Sequence, residues 1–305
     1  MAQGARRGGQ RGGQRPAQGR GGQRPSPRQG SGQGRGAPAR GGRSRSVDAP
    51  RKSNAEKSLG GEQVEGRQAI REMLIAGRRK VREIWIAGDI DAADVIDDIR
   101  ELAADARVQI LDVARKKIEQ TARSEAPQGV IAFAAPLPEA DFDELLVPRG
   151  KVNPFLVALD GVTDPGNLGA LLRCCDGAGV TGVILPKHRS VHITPTAAKA
   201  AAGAIEHLDI AVVPGLPNAM ERMKKARVWT IGLDDAADRS LFEIGDLARD
   251  PVCVILGAEG KGVSRLVRER CDLVVSIPME GQLSSLNVSV AGALATYEIL
   301  RNRRP

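Results

Sequence analysis

The sequence predicts an α/β protein in which a small α/β unit precedes a larger, mostly parallel sheet covered by helices on both faces. Three observations predict it. From Val64 onward, short runs of Val, Ile and Leu recur between segments of helical period, and strands apolar on both sides belong to parallel sheets sandwiched between helices. The composition breaks abruptly near residue 53, which separates the first stretch of the chain from all that follows. Glycine-rich or polar turns follow the apolar runs ending near Asp160, Leu256 and Ile277, where the chain leaves a strand for a helix whose first N–H groups need partners.

Residues 1–52 hold twelve Arg and Lys52 against a single acidic residue, Asp48, so this tail carries +12 and leaves −4 of the total +8 for residues 53–305. Gly, Gln, Pro and Arg dominate, in phrases such as Arg7-Gly8-Gly9-Gln10-Arg11-Gly12-Gly13-Gln14-Arg15. Such a segment buries too little apolar surface to offset the cost of ordering its backbone, and disorder is expected. Arg-Gly repeats suit electrostatic capture of RNA phosphates, without an aromatic residue to stack bases. The plainer alternative is a solubilising tail.

The small unit, 62–135, reads as a helix (66–75), strand (81–87), helix (92–104), strand (108–111), helix (114–121) and strand (129–134), about the lower limit for an independent core. Arg78, Arg79, Lys80 and Arg82 cluster at its first helix-to-strand turn, and Arg115, Lys116 and Lys117 at another. Either cluster suits phosphate contact, the alternative being solvated loop charge. A Pro-containing linker, 136–152, leads to the larger domain, 153–305. Its strands are 155–159, 182–185, 210–213, 228–232, 252–256 and 273–277, alternating with helices and ending in a long one from Leu286 to Arg301. No apolar run of about 18 residues could span a bilayer and no secretory segment follows the tail, so a cytoplasmic protein is expected. Cys174, Cys175, Cys253 and Cys271 form no C-x-x-C pair, and with only three His in the chain they read as free thiols rather than metal ligands.

The chemistry concentrates in three turns. Ser284, Ser285, Asn287 and Ser289 set hydroxyl and amide groups beside the start of the last helix, which suits a polar ligand or simple helix capping. Gly257-Ala258-Glu259-Gly260-Lys261-Gly262 lets backbone pass close to a ligand, while no G-x-G-x-x-G follows the first strand of the larger domain, against a dinucleotide-binding Rossmann fold. Asn167 and Arg173 stand six residues apart, and that spacing brings both to one end of the sheet if Asn167 lies in the loop before the helix.

Together Asp160 to Arg173, Leu256 to Gly262 and Ile277 to Ala291 resemble, in order and separation, the signature motifs of the SpoU (TrmH-like) branch of the SPOUT RNA methyltransferases. The likeness runs from about residue 64 to the C-terminus; Val64 to Ile70 and Gln128 to Val130 resemble the family's substrate-binding domain. The resemblance implies methyl transfer from S-adenosylmethionine to a ribose 2′-hydroxyl of RNA. It also implies a SPOUT-type parallel sheet with a C-terminal trefoil knot, which periodicity would never propose, and a homodimer that completes each site across a two-fold interface. No metal is implied. The catalytic set carried over is Asn167, Arg173, Glu259, Ser285 and Asn287; the cofactor set is Leu256, Gly257, Ala258, Glu259, Gly260, Ile277, Met279, Ser284, Leu286 and Asn287. An Arg is a poor base near neutrality, so electrostatic stabilisation is its expected part, with proton removal left open. Glu259 either orients Asn167 or counters the cofactor's charge, and His192 lies in a segment that approaches substrate in the family. Val191 to Lys199 and Gly203 to Leu208 look like the subgroup that methylates a guanosine of 23S ribosomal RNA. A tRNA enzyme, an antibiotic-resistance ribosomal RNA enzyme and a non-catalytic RNA-binding assembly factor are the alternatives.

Overall fold

The computed structural model describes residues 59–187 and 193–304; the basic tail and His192, about which the sequence raised expectations, lie outside them. Residues 50–305 belong to one unit, and its described part is organised around two sheets. The first contains β1 (Gln63–Glu65), α1 (Arg67–Ala76), β2 (Val81–Ala87), α2 (Asp94–Asp105), β3 (Gln109–Val113), α3 (Arg115–Thr121) and β4 (Val130–Ala134). The order is β1-β4-β2-β3, parallel between β2 and β3 and antiparallel elsewhere. Ile70 and Met73 of α1 and Ile96 and Ile99 of α2 pack on Ile84 and Ile86, so the helical stripe and the alternate strand residues form one core. The opposite face is covered in part by α3 through Ile118.

Sequence reading passes over β1 because Gln63 and Glu65 look solvent-facing. Both are buried instead. Glu65 accepts hydrogen bonds from Arg123 N, Ser124 N and the Gln63 amide, and Gln63 also donates to the Thr121 carbonyl, which supplies the partners that buried polar groups need.

The second sheet follows the short α4 (Phe142–Leu145). It comprises β5 (Phe155–Asp160), α5 (Pro165–Gly177), β6 (Gly182–Pro186), α6 (Pro195–Ala200), β7 (Ile210–Val213), α7 (Leu216–Lys225), β8 (Trp229–Leu233), β9 (Val252–Gly257), α8 (Arg265–Arg268), β10 (Leu273–Val275) and α9 (Val288–Arg303). All six strands are parallel, in the order β10-β8-β9-β5-β6-β7. Separate apolar clusters fill its two faces, as continuous Val/Ile/Leu strands require. In α9, Val288, Gly292, Ala295 and Ile299 turn inward while Val290, Leu294 and Tyr297 stay exposed. At its far end the Arg303 guanidinium donates to the carbonyls of Asn153, Pro154, Ala248 and Asp250, fastening α9 to the approach to β5.

Two members of the first basic cluster, Arg78 and Arg79, turn away from solvent, while Lys80 and Arg82 stay exposed. Arg79 is buried, its side chain 0% exposed, and pairs at 3.1 Å with Glu206, itself 1% exposed. Its remaining N–H groups donate to the carbonyls of Ala135 and Gly61. Arg78 pairs with Asp209 at 2.8 Å and donates to the Leu208 carbonyl, and Arg149 takes the other Asp209 oxygen at 2.6 Å. His207 and Glu72 meet at 2.9 Å across the same junction. Gly203 holds φ +89° with Glu72 so near that an added Cβ would stand 2.5 Å from its Cβ, so only glycine lets the two parts approach this closely. Phosphate contact by Arg78 and Arg79 is thereby corrected: they bind the first sheet's domain to the second. Arg82 pairs with Glu62 and Arg115 with Asp89 on the exposed surface.

Candidate active site

Parallel strands present their C-terminal ends on one side, and here those ends carry Asp160, Leu233, Gly257 and Val275 in neighbouring positions of the sheet. The turns beyond them enclose a cavity of about 390 Å³. Its wall includes Leu256, Gly257, Ala258, Glu259 and Gly260, then Ile277 and Met279, then Ser284, Ser285 and Leu286. Nine of the ten sequence-predicted cofactor positions therefore share one cavity; the tenth, Asn287, stands beside it as the N-cap of α9, where its side-chain oxygen accepts from Ser289 N at 2.9 Å.

The glycine-rich turn is a tight ring. Gly262 N donates to the Ala258 carbonyl at 2.9 Å, and a Cβ on Gly257 would fall 1.9 Å from the Gly262 carbonyl carbon. Any side chain at position 257 forces the ring open, which is the physical need for glycine at the end of β9. Ser264 N donates to the Asp160 carboxylate at 2.7 Å, tying this turn to the end of β5.

The three motifs meet through their side chains. Asn167 Nδ2 donates to Glu259 Oε2 at 3.2 Å, Asn287 Nδ2 donates to Asn167 Oδ1 at 2.9 Å, and it lies 3.4 Å from Glu259 Oε1. Residues 28 to 120 positions apart along the chain thus form one polar triangle. Asn167 does not sit in a pre-helical loop, as its spacing from Arg173 required. It is the third residue of α5, where its N–H donates to the capping Asp164 carboxylate at 2.6 Å. Arg173 lies six residues further along the helix, about 9 Å of rise and on a different face, and it is neither in the triangle nor on the cavity wall. Arg173 is exposed and, among the described residues, makes no hydrogen bond or ion pair.

Sequence reasoning missed Leu233, Asp234 and Asp235, which line the cavity from the end of β8; Lys261, Gly262, Val288 and Ala291, within the motif turns but outside the cofactor set, line it too. Asp234 is held by Arg268 at 3.1 Å and caps Ala236 N at 3.0 Å. Among the described residues no cluster of His, Cys, Asp or Glu stands ready to hold a metal, and no helix is long and apolar enough to cross a membrane. The four cysteines are free, and burial pushes the Cys271 thiol up to about 12 and raises Cys175 and Cys253 further.

Residues 154–297 match the SpoU rRNA Methylase family, and residues 63–140 match the RNA 2′-O ribose methyltransferase substrate-binding family. The 23S rRNA (guanosine-2′-O-)-methyltransferase RlmB of Pseudomonas aeruginosa is 42% identical over 210 residues, 68% of this chain and 83% of that protein. Its Shewanella oneidensis counterpart is 46% identical over 194 residues, 63% and 77% respectively. Among solved structures, the SpoU methyltransferase AviRb of Streptomyces viridochromogenes in complex with AdoMet superposes with a TM-score of 0.66 at 27% identity, over 79% of this chain and 89% of that one. With a parallel sheet of that kind, a cavity built from the three motif turns and relatives covered over most of their length, the chain belongs to the SpoU rRNA methylase family.

Proposed function

We propose that the protein transfers a methyl group from S-adenosylmethionine to the ribose 2′-hydroxyl of a guanosine in 23S ribosomal RNA. The observation that carries this reading is the Asn167–Glu259–Asn287 triangle at the rim of the cavity, which joins all three motif turns at one point. The cavity suits the cofactor in size and lining: Leu233, Leu256, Ile277, Met279 and Leu286 offer apolar walls for a flat base, and Asp234, Asp235 and Glu259 offer carboxylates toward a cation. Bound there, S-adenosylmethionine would supply an electrophilic methyl on a sulfonium centre.

The roles of the chain's own groups follow from their chemistry. Glu259 accepts from two neutral amides, which holds the Gly257–Gly262 turn and both Asn side chains in one arrangement. Orientation is therefore its main part, with its negative charge favouring the cationic cofactor. Ser284, Ser285 and the backbone of the Gly257 turn position the ligand. Arg173, a permanent cation with all its donors uncommitted among the described residues, stabilises the alkoxide developing at the 2′-oxygen and steadies the flanking phosphate.

Because Arg173 stands off the cavity of its own chain, the reading includes a homodimer that completes the site. Val290, Leu294 and Tyr297, exposed at helical spacing on α9, supply the apolar stripe for the contact. It includes a trefoil knot as well. Supporting it, the chain leaves the edge strand β10, returns past the ends of β8 and β9 through the cavity-lining turn, and starts α9 beside β9, with Gly292 against Leu171 and Leu256.

The test is incubation of the full chain with methyl-labelled cofactor and 23S rRNA, followed by alkaline hydrolysis. A 2′-O-methyl blocks cleavage of its own linkage, so label is expected in an alkali-resistant dinucleotide; label on a base would overturn the reading. Arg173→Ala should lower turnover on the order of 10²-fold while cofactor binding measured by calorimetry is retained.

A further inference from the structure

A second cavity, about 610 Å³, opens at the other end of the parallel sheet, where Val228, Trp229, Pro251 and Asp272 stand at or just before the starts of β8, β9 and β10. Trp229, one of two tryptophans in the chain, is 44% exposed there. A tryptophan opening a buried parallel strand normally gains by full burial; this one presents its ring to the cavity instead. Lys224, Lys225 and Arg227 precede it, all exposed and, among the described residues, all without an ion-pair partner. Lys224 and Arg227 line the cavity itself. Their nearby relatives behave differently: Arg222 is spent on Asp143 and Arg270 on Glu221.

The wall also carries two carboxylates, Asp250 and Asp272, and neither forms an ion pair with these cations among the described residues. Asp272 accepts from Thr230 N at 2.9 Å and from Thr230 Oγ1 at 2.7 Å, and Asp250 stands beside Arg303, whose guanidinium it supports electrostatically. An exposed indole next to three uncommitted cations within six residues matches one chemistry, a nucleobase flanked by phosphates. Aromatic faces stack any base, and Lys and Arg follow the backbone on either side. The rest of the wall is apolar, through Leu146, Pro148, Ala226, Val228 and Pro251, which suits the flat faces of a base, and the unpaired cations beside it favour RNA over a protein partner.

We propose that this cavity is a second RNA-contact site, in which an unpaired base stacks on Trp229 and its neighbouring phosphates lie on Lys224, Lys225 and Arg227. For its ligand class it rests on the methyltransferase reading. The site lies about 17 Å from the cofactor cavity, the length of the five-residue β8, so it grips RNA away from the methylated nucleotide and around the short edge strand β10. Its effect belongs to substrate affinity rather than to the chemical step.

The experiment uses the full chain carrying Trp85→Phe, so that emission comes from Trp229, titrated with a single-stranded octaribonucleotide. Saturable quenching is expected; replacing Lys224, Lys225 and Arg227 together by Ala should weaken binding and lower the slope of log affinity against log salt by about 2. With 23S rRNA as substrate, Trp229→Ala should raise KM on the order of 10-fold at unchanged kcat, and Trp229→Phe should restore most of it. No quenching, or a normal KM in Trp229→Ala, overturns the site while leaving the enzymatic reading intact. Quenching by RNA in a chain that methylates no ribose would support the site and remove the enzymatic reading. A changed oligomeric state in Trp229→Ala with unaltered RNA affinity would make the cavity an interface between copies and overturn the proposal.

Discussion

Glu206 and Glu259 are both glutamates at junctions of distant chain segments, and the molecule uses them in opposite ways. Glu206 is sealed between the two sheets with one oxygen on Arg79 and the other, Oε2, without a hydrogen-bond partner among the described residues. Burial raises its pKa against the pull of Arg79. Glu259 stands exposed, held by the neutral amides of Asn167 and Asn287. A buried charge is neutralised by a fixed partner and can serve only architecture; an exposed one held by amides keeps its negative charge for a ligand. The comparison separates what the protein needs for folding from what it needs for chemistry.

Breaking the buried pair should give the largest effect. Arg79→Ala leaves Glu206 without its cation, and denaturant unfolding near neutral pH should show a loss of about 3–5 kcal/mol. The pH dependence has a definite sign. A carboxyl whose folded-state pKa lies above its unfolded value contributes most at low pH and loses that contribution as pH rises through the folded value. Removing Arg79 raises the folded value further, so the variant's stability should keep falling, beyond the point where the parent's levels off, as pH rises above the ordinary carboxylate range. A pH-independent deficit would show that Glu206 stays ionised.

Glu259→Gln probes the other side of the comparison. It keeps the shape and places an amide donor against one of the two amide donors that Glu259 accepts from, so methyl transfer should drop about 10²-fold through misplacement while stability stays within about 0.5 kcal/mol. A large stability loss would make Glu259 a second architectural charge. The smallest effect belongs to Arg265 and Glu269, whose side chains are 90% and 57% exposed. Glu269→Ala should change the unfolding free energy by less than about 0.5 kcal/mol, measurable only against the parent in the same denaturant series.

Strands Val81–Ala87 and Ile210–Val213 were legible to the residue because each apolar run ends against a turn or polar break. The start of α5 carried a signal that the reading of Asn167 passed over: Asp164 followed by Pro165 is a capping residue with proline at the first helical position, which places Asn167 inside the helix despite the geometry asked of it. The motif turns named nearly the whole cavity wall. Asp234 and Asp235 escaped because they reach the cavity only through β8 lying next to β9, and strand order leaves no local mark. Arg79 and Glu206, 127 residues apart, escaped for the same reason: a basic turn looks solvent-facing until another part of the chain is folded over it.

The Arg303 clasp has a consequence for biosynthesis. β5 is made early, yet its neighbour β9 arrives only after residue 252 and its fastening only with Arg303. While the ribosome is still translating, the first sheet can close on local contacts, but the strands of the second must wait with open apolar faces and unpaired edges. Nascent chains stalled anywhere between β5 and α9 would be the species that chaperones meet, and a truncation of only the last few described residues should leave a protein that starts to fold on schedule and finishes late.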